Sequence, residues 1–97
     1  MKYVLEYKLA PGGLAKVQAN FMAHRERLLQ FNAAGTLYMA GPIGNPPEGA
    51  LAVFASRESA EAFVSGDPFV INGVVGEHHI REWQEVLFSP TAGVGSR

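Results

Sequence analysis

The chain has 97 residues, of which 47% are hydrophobic and 18% are charged, with a formal net charge of −1 and no cysteine. This length is typical of one domain with one core. The balanced charge does not favour a nucleic-acid-binding module, which usually carries a basic face, and the lack of cysteine excludes disulfides, thiolate metal sites and a cysteine nucleophile. No run approaches the ~20 apolar residues of a membrane helix, and the N-terminus lacks a long apolar segment, so we expect a soluble, cytoplasmic protein.

The first third of the chain predicts a strand followed by a long helix. Residues 2–9 alternate largely between apolar and polar side chains, which is the period of a strand. Residues 14–34 carry one apolar stripe at steps of three, four and seven residues, as in a helix that packs on a core. Gly35 is placed to cap this helix at its C-terminus.

The middle of the chain predicts two further strands separated by a loop. Residues 36–40 form the second predicted strand, which Gly41 and Pro42 are expected to stop. Residues 43–49 contain two glycines and two prolines and are predicted to be a loop. Residues 50–55 show little polar alternation, so this third strand is expected at the centre of the sheet, buried on both faces.

A short helix and a sharp corner follow. Ser56 is a suitable N-cap for a helix over residues 57–65. Gly66 is expected to close this helix in the left-handed conformation. Pro68 disfavours the helical conformation at Asp67. The corner therefore holds a carboxylate on a fixed, non-helical stretch of backbone.

The final segment completes a known arrangement of elements. Residues 79–88 alternate as a last strand, and residues 89–97 are expected to be a mobile tail after a single domain over residues 1–88. The order β-α-β-β-α-β predicts a ferredoxin-like α+β domain, in which two helices cover one face of a four-stranded antiparallel sheet.

The predicted strands carry more apolar surface than two short helices can cover. The residues concerned are Tyr3, Leu5, Tyr7, Trp83 and Phe88. A homodimer that packs two open sheet faces together would bury this surface, and we expect one.

His24 and Asp67 are the residues best placed to carry chemistry. His24 lies near the edge of the apolar stripe of the first helix, three residues after Phe21 and four before Leu28. A lone helical histidine more often bonds a backbone carbonyl, and Asp before Pro is common turn chemistry. Because both helices cover the same face of the sheet, the corner could nevertheless bring Asp67 to His24. The carboxylate would then fix one ring nitrogen and leave the other free as a general base or acid.

Other motifs are weaker. His78 and His79 are adjacent on a strand and point to opposite faces, so they do not predict a metal site. The segment from Gly41 to Gly44 lacks the lysine and the following helix of a phosphate-binding loop and is expected to turn the chain beside the site. The aromatic residues of the strands could line a pocket, although packing in the core or in a dimer explains them more simply.

The sequence resembles the YciI-like (YCII-related) family of small bacterial proteins, over residues 1–88. The resemblance is specific because the matching pieces occur in order and with the same spacing. They are Tyr3-Val4-Leu5, His24 and Leu28 ahead of Gly35, Gly35-Thr36-Leu37-Tyr38-Met39-Ala40-Gly41-Pro42, Ser56 with Ala60, Asp67-Pro68-Phe69-Val70 with Gly73, and Ile80-Arg81-Glu82-Trp83.

The resemblance implies a fold of the dimeric α+β barrel type, a homodimer and a pocket with His24 and Asp67 as the active pair. It suggests proton-transfer chemistry of the lyase, isomerase or dehydrohalogenase kind on a small, often aromatic-derived molecule. Our own hypothesis is that His24 acts as general base or acid, with Asp67 to orient it, without metal or organic cofactor. The residues expected to contact the substrate are Tyr7, Phe21, Gly41, Pro42 and Phe69.

One position departs from the family pattern. Many relatives carry an arginine three residues before the histidine, where this chain has Phe21. An anionic substrate group would then have to bind Arg25, Arg27 or Arg81 instead, or the ligand would be less charged.

Two alternatives to an enzyme remain open from the sequence. The same pocket could hold a small ligand without turnover, with the pair supplying only hydrogen bonds. The chain could also be a structural dimeric domain, in which His24 and Asp67 would be buried and mutually satisfied with no cavity beside them.

Overall fold

A computed structural model of the chain describes residues 1–89. The predicted tail over residues 89–97 therefore falls, from residue 90 onward, outside the described residues. The elements are β1 (Lys2–Leu9), a 3-10 helix (Gly13–Lys16), α1 (Val17–Ala33), β2 (Leu37–Ile43), β3 (Gly49–Phe54), α2 (Arg57–Gly66), the one-turn helix α3 (Pro68–Ile71) and β4 (Val75–Trp83). No helix within residues 1–89 is long and apolar enough to cross a membrane.

The four strands form one antiparallel sheet in the order β2-β3-β1-β4, with the helices on one side. This arrangement confirms the predicted ferredoxin-like α+β fold. The core lies between the sheet and the helices, where Leu5, Phe54 and Phe63 are each at most 1% exposed. Phe31 of α1 packs edge-on against Phe54 and Phe63, with ring centroids 6.4 and 5.2 Å away.

Helix α2 begins as predicted. The Ser59 backbone N–H donates to Ser56 Oγ at 3.1 Å, which satisfies one of the free donors in the first turn. Ala60, Phe63 and Val64 form the buried face of the helix.

The prediction that Gly41 and Pro42 stop the second strand is wrong. Strand β2 continues through both residues to Ile43, and the turn begins at Gly44, whose φ is 85°. Proline is tolerated here because β2 is an edge strand, where a missing backbone donor need not break a ladder. Gly41 and Pro42 therefore belong to the sheet and do not turn the chain.

The last strand was predicted too late in the chain. Strand β4 spans Val75–Trp83, and Trp83 pairs with Lys2, the first residue of β1. Beyond Trp83 the neighbouring strand offers no partner, so the alternating residues that follow are not in the sheet. Three of these residues are largely exposed, namely Val86, Leu87 and Phe88.

Gly66 is not left-handed, contrary to prediction. It lies within α2, and the positive φ angles belong to other glycines, among them Gly35 at 80° as expected. A Cβ at position 66 would lie 2.6 Å from Arg27 Nη2, so the guanidinium would have to move to admit a larger residue there. Asp67 itself leaves the helix in an extended conformation, with φ −72° and ψ 121°.

The open face of the sheet is apolar, but its residues differ from the predicted set. Tyr3, Leu5 and Tyr7 face the helices: Leu5 and Tyr7 belong to the core, and the Arg57 guanidinium of α2 lies 5.3 Å from the Tyr3 ring. The exposed apolar residues of the open face include Met39, Leu51 and Trp83. Because Leu51 is exposed, β3 is not buried on both faces along its whole length, although its place inside the sheet is as predicted.

Candidate active site

Asp67 is a fully buried carboxylate at the junction of α2 and α3. Asp67 has an extended backbone, so α2 ends at Gly66. Pro68 then begins α3, with its fixed φ suited to the first position of a helix. Asp67 Oδ1 accepts a hydrogen bond from the Phe69 backbone N–H at 3.1 Å, so the carboxylate is also the N-cap of α3. The local sequence thus fixes where the two carboxylate oxygens point.

Two side chains from distant parts of the chain bind this carboxylate. Tyr7 Oη, from β1, donates to Asp67 Oδ2 at 2.6 Å. His24 Nδ1, from α1, lies 2.7 Å from Asp67 Oδ1. With the Phe69 N–H, the buried charge has three hydrogen-bond donors, which offset much of the cost of removing it from water.

The hydrogen bond to Asp67 determines the state of the His24 ring. An ionised carboxylate only accepts, so Nδ1 must carry a proton and the neutral ring has its lone pair on Nε2. The ring stacks on Phe69, with centroids 3.7 Å apart and planes 3° apart. Within residues 1–89, His24 Nε2 has no hydrogen-bond partner. Since no buried side-chain nitrogen or oxygen in these residues lacks a partner, Nε2 is not buried and is open to solvent or ligand.

Tyr7 is held as a neutral phenol. Burial raises its pKa well above the usual value, and the hydrogen bond to Asp67 and the negative charge of that carboxylate raise it further. Tyr7 therefore acts as a hydrogen-bond donor at physiological pH and does not supply a phenolate base.

A cavity of about 390 Å³ lies between α1 and the helix-facing side of the sheet, beside His24. Its walls are mainly aliphatic and aromatic, which explains why the apolar stripe of α1 contains no fully buried residue. The structure places Tyr7, Phe21, Gly41, Pro42 and Phe69 on these walls, together with His24. Asp67 does not line the cavity, but the residues that donate hydrogen bonds to it, Tyr7, His24 and Phe69, do.

The three candidate arginines lie in different environments. Arg27 donates to the backbone carbonyls of Phe63 and Ala62 at 3.0 and 2.8 Å. Arg81 lies on the open face of the sheet and pairs with Glu6 at 3.1 Å. Only Arg25, of these three, lines the cavity.

The two adjacent histidines of β4, His78 and His79, do not line the cavity. His78 pairs in register with Tyr7, and His79 pairs with Glu6, so their side chains leave opposite faces of the sheet. Within residues 1–89 no group of three or more histidine, aspartate or glutamate side chains could hold a metal ion.

The contact that sequence reasoning missed is the bond from the Tyr7 hydroxyl to Asp67. Alternation along β1 puts Tyr7 on one face with Leu5, but it gives no partner for the hydroxyl. The pairing spans 60 residues and depends on how α2 ends above β1, which no local pattern reports.

Comparison with known proteins gives a family and a fold. Residues 1–84 match the model of the YCII-related domain. No curated protein matches the chain.

Solved structures with similar folds differ widely in sequence. One is the 5-chloro-2-hydroxyhydroquinone dehydrochlorinase TftG of Burkholderia phenoliruptrix in complex with 2,5-dihydroxybenzoquinone (22% identity, 87% of this chain and 94% of that chain covered, TM-score 0.72). Protein Atu4242 of Agrobacterium tumefaciens is 16% identical, with 93% and 98% covered and a TM-score of 0.55. SnoaB, a cofactor-independent oxygenase of Streptomyces nogalater, is 10% identical, with 89% and 94% covered and a TM-score of 0.53. At these identities the similarity shows the fold alone.

Proposed function

The chain belongs to the YCII-related domain family, and we propose that it is a small enzyme in which His24 exchanges a proton with a small molecule bound in the cavity. The observation that carries this proposal is the buried Asp67 carboxylate, 2.7 Å from His24 Nδ1, which leaves Nε2 as the free nitrogen of a ring that lines the cavity.

The proposed roles follow from this geometry. His24 Nε2 is the general base, and after it takes a proton the ring is an imidazolium whose charge faces Asp67. Asp67 orients the ring and stabilises that charge, and it stays ionised throughout. Tyr7 and the Phe69 N–H orient Asp67 by donating to it. His24 then returns the proton to the product or to water.

Several reaction types share this first step. In an isomerase-like reaction, the substrate C–H or O–H bond breaks, its electron pair shifts into a new double bond, and the proton returns at another atom. In a lyase- or dehydrohalogenase-like reaction the same electron pair expels a leaving group, such as chloride. Neither route changes the net oxidation state of a second molecule, so the proposed step calls for no metal or organic cofactor.

The cavity favours a small, ring-containing substrate. Its volume lies within the ~300–1,000 Å³ common for small-molecule sites, and its walls are mostly apolar. Phe21 and Phe69 offer aromatic surfaces to a flat ligand. The substrate and ligand in the printed description of TftG, a chlorinated hydroquinone and a dihydroxybenzoquinone, are molecules of this class. We therefore propose a hydroquinone- or quinone-like substrate class.

The test uses substituted hydroquinones, including 5-chloro-2-hydroxyhydroquinone, with wild type, His24→Gln, Asp67→Asn and the control His79→Gln. Chloride release and exchange of substrate protons in D₂O are followed by ion analysis and NMR. We expect His24→Gln and Asp67→Asn to lower the rate about 10²-fold or more, and His79→Gln to match wild type, because His79 is exposed and lies on the open face.

The same experiment separates the alternatives. Ring binding to wild type without exchange or chloride release would favour a ligand-binding module. If no ring binds, the structural dimeric domain becomes the better description. Turnover that survives in His24→Gln would contradict the proposed role of the histidine directly.

A further inference from the structure

The polar groups of the cavity also indicate what kind of substrate it accepts, and we propose that Arg25 recognises an anionic group on a small ring. This inference rests on the proposed function, since it concerns the substrate of the same cavity. It goes further by assigning a charge to that substrate and a residue to the recognition of that charge.

Three titratable side chains lie on the cavity wall. They are Tyr7, His24 and Arg25. The Tyr7 hydroxyl and His24 Nδ1 already bind Asp67. The titratable groups left for a ligand are His24 Nε2, which the proposed chemistry uses, and the Arg25 guanidinium.

The Arg25 guanidinium is available to a ligand. Arg25 directly follows His24 in α1 and is exposed at the cavity. Among residues 1–89 no carboxylate pairs with it, whereas Arg81 is paired with Glu6 and Arg27 is bound to two backbone carbonyls. Arg25 is thus the arginine free to meet an incoming anion at this site.

The charges around the cavity favour an anion beside Arg25. Apolar walls make it costly to bring a charged group into the cavity without a partner, and the buried Asp67 carboxylate behind His24 would repel an anion. A guanidinium offsets both costs and can bind a carboxylate through two parallel hydrogen bonds. The ligand class that fits is a flat ring carrying one carboxylate or acidic ring oxygen, with the anion at Arg25 and the ring between the apolar walls.

The test compares two probes that share a ring and a hydroxyl group and differ in charge, salicylate and salicylamide. Calorimetric titration gives the dissociation constants for wild type, Arg25→Gln and the matched control Arg81→Gln, which removes an arginine from the opposite face of the sheet. We expect wild type and Arg81→Gln to bind salicylate about tenfold more tightly than salicylamide, as for a charge-assisted hydrogen bond. Arg25→Gln should bind the two probes with nearly equal affinity.

Several results would overturn the proposal. Equal affinity of wild type for the two probes, or no binding of salicylate at millimolar concentration, would each do so. A preference that persists in Arg25→Gln but disappears in His24→Gln would assign the anion to the imidazolium instead. Since the titration does not involve turnover, the anion preference can hold while the catalytic proposal fails, and turnover of uncharged rings without this preference would show the reverse.

Discussion

Asp67 joins three parts of the chain through its two carboxylate oxygens. It accepts hydrogen bonds from a hydroxyl of β1, an imidazole of α1 and a backbone N–H of α3. A buried carboxylate with fewer donors would be destabilising, because hydrogen bonds to a charged group are worth about 1.5–3 kcal/mol each. The pair that the sequence suggested is therefore part of a larger network, and Tyr7 completes it.

Tyr7→Phe tests this network through stability. Removing the hydroxyl takes one donor from Asp67, so we expect the free energy of unfolding at pH 8 to fall by about 1.5–3 kcal/mol. Urea unfolding followed by circular dichroism gives this value. The matched control is Tyr38→Phe, since Tyr38 is about half exposed on the edge strand, and it should change stability by less than about 0.5 kcal/mol.

The stability difference between wild type and Tyr7→Phe should also depend on pH. The pKa of Tyr7 is raised in the folded state, so its stabilising effect is complete below pH 10, where an unfolded tyrosine is still protonated. Above pH 10 the unfolded chain ionises while folded Tyr7 does not, and wild type loses up to about 1.4 kcal/mol per pH unit through this residue. The stability difference between wild type and Tyr7→Phe should therefore shrink between pH 9 and 11, and a constant difference would contradict the assignment.

Arg27 links helix α1 to the end of helix α2. Its guanidinium donates to two carbonyls in the last turns of α2 and lies 5.0 and 5.7 Å from the centroids of Phe31 and Phe63. The Phe63 carbonyl is one of the last four of the helix, which have no partner within it, whereas the Ala62 carbonyl also accepts from Ser65 Oγ at 2.8 Å. The positive charge of Arg27 suits the helix dipole there. Arg27 is one turn beyond His24, and α2 leads directly into Asp67, so this contact holds together the two helices that carry the pair.

Gly66→Ala tests the contact between Arg27 and α2. In an ordinary helix this change stabilises by up to about 1 kcal/mol. Here the new methyl group would lie 2.6 Å from the guanidinium, which must then move away from the two carbonyls that it binds. Because those charged hydrogen bonds would be lost, we expect a fall of about 1–3 kcal/mol in the free energy of unfolding. In an Arg27→Leu background the same change should be neutral or stabilising. An equal effect of Gly66→Ala in both backgrounds would show that Arg27 is not the obstacle.

The elements also show what the sequence can and cannot predict. The number, type and order of the main strands and helices follow from periodicity, caps and turn residues, as at Ser56 and Gly35. The ends of β2 and β4 do not, because an edge position tolerates Pro42 and the length of β1 limits β4 to Trp83. The one-turn helix α3 was also missed, since four residues are too few to show a period.

Within the site, the sequence predicted His24, Asp67 and the five wall residues, but it could not rank the three arginines. Arg25, Arg27 and Arg81 differ only in tertiary context: one lines the cavity, one binds α2 and one lies on the other face of the sheet. The family pattern did not indicate which arginine contacts a ligand, because the position of the arginine in that pattern is Phe21 in this chain.

For the whole molecule, the open sheet face remains the predicted surface of a homodimer. Met39, Leu51 and Trp83 are exposed there, and such apolar surface is typically covered by a partner. We expect a dimer at micromolar concentration by sedimentation velocity and a shift to monomer in Met39→Glu. The matched control is Met22→Glu, which adds the same charge on exposed α1 and should leave the dimer intact. A wild-type monomer under these conditions would contradict the prediction.

The proposed role of Asp67 is tested by the tautomer of His24. Long-range ¹H–¹⁵N NMR spectra of protein labelled at histidine nitrogen show which ring nitrogen carries the proton. If Asp67 holds Nδ1 and leaves Nε2 as the proton acceptor, the neutral ring shows a protonated Nδ1 and an unprotonated Nε2. The more common tautomer, protonated at Nε2, should appear in Asp67→Ala. Finding the Nε2-protonated form in wild type would contradict the proposed role of His24 as a base, because no lone pair would then face the cavity to accept a proton.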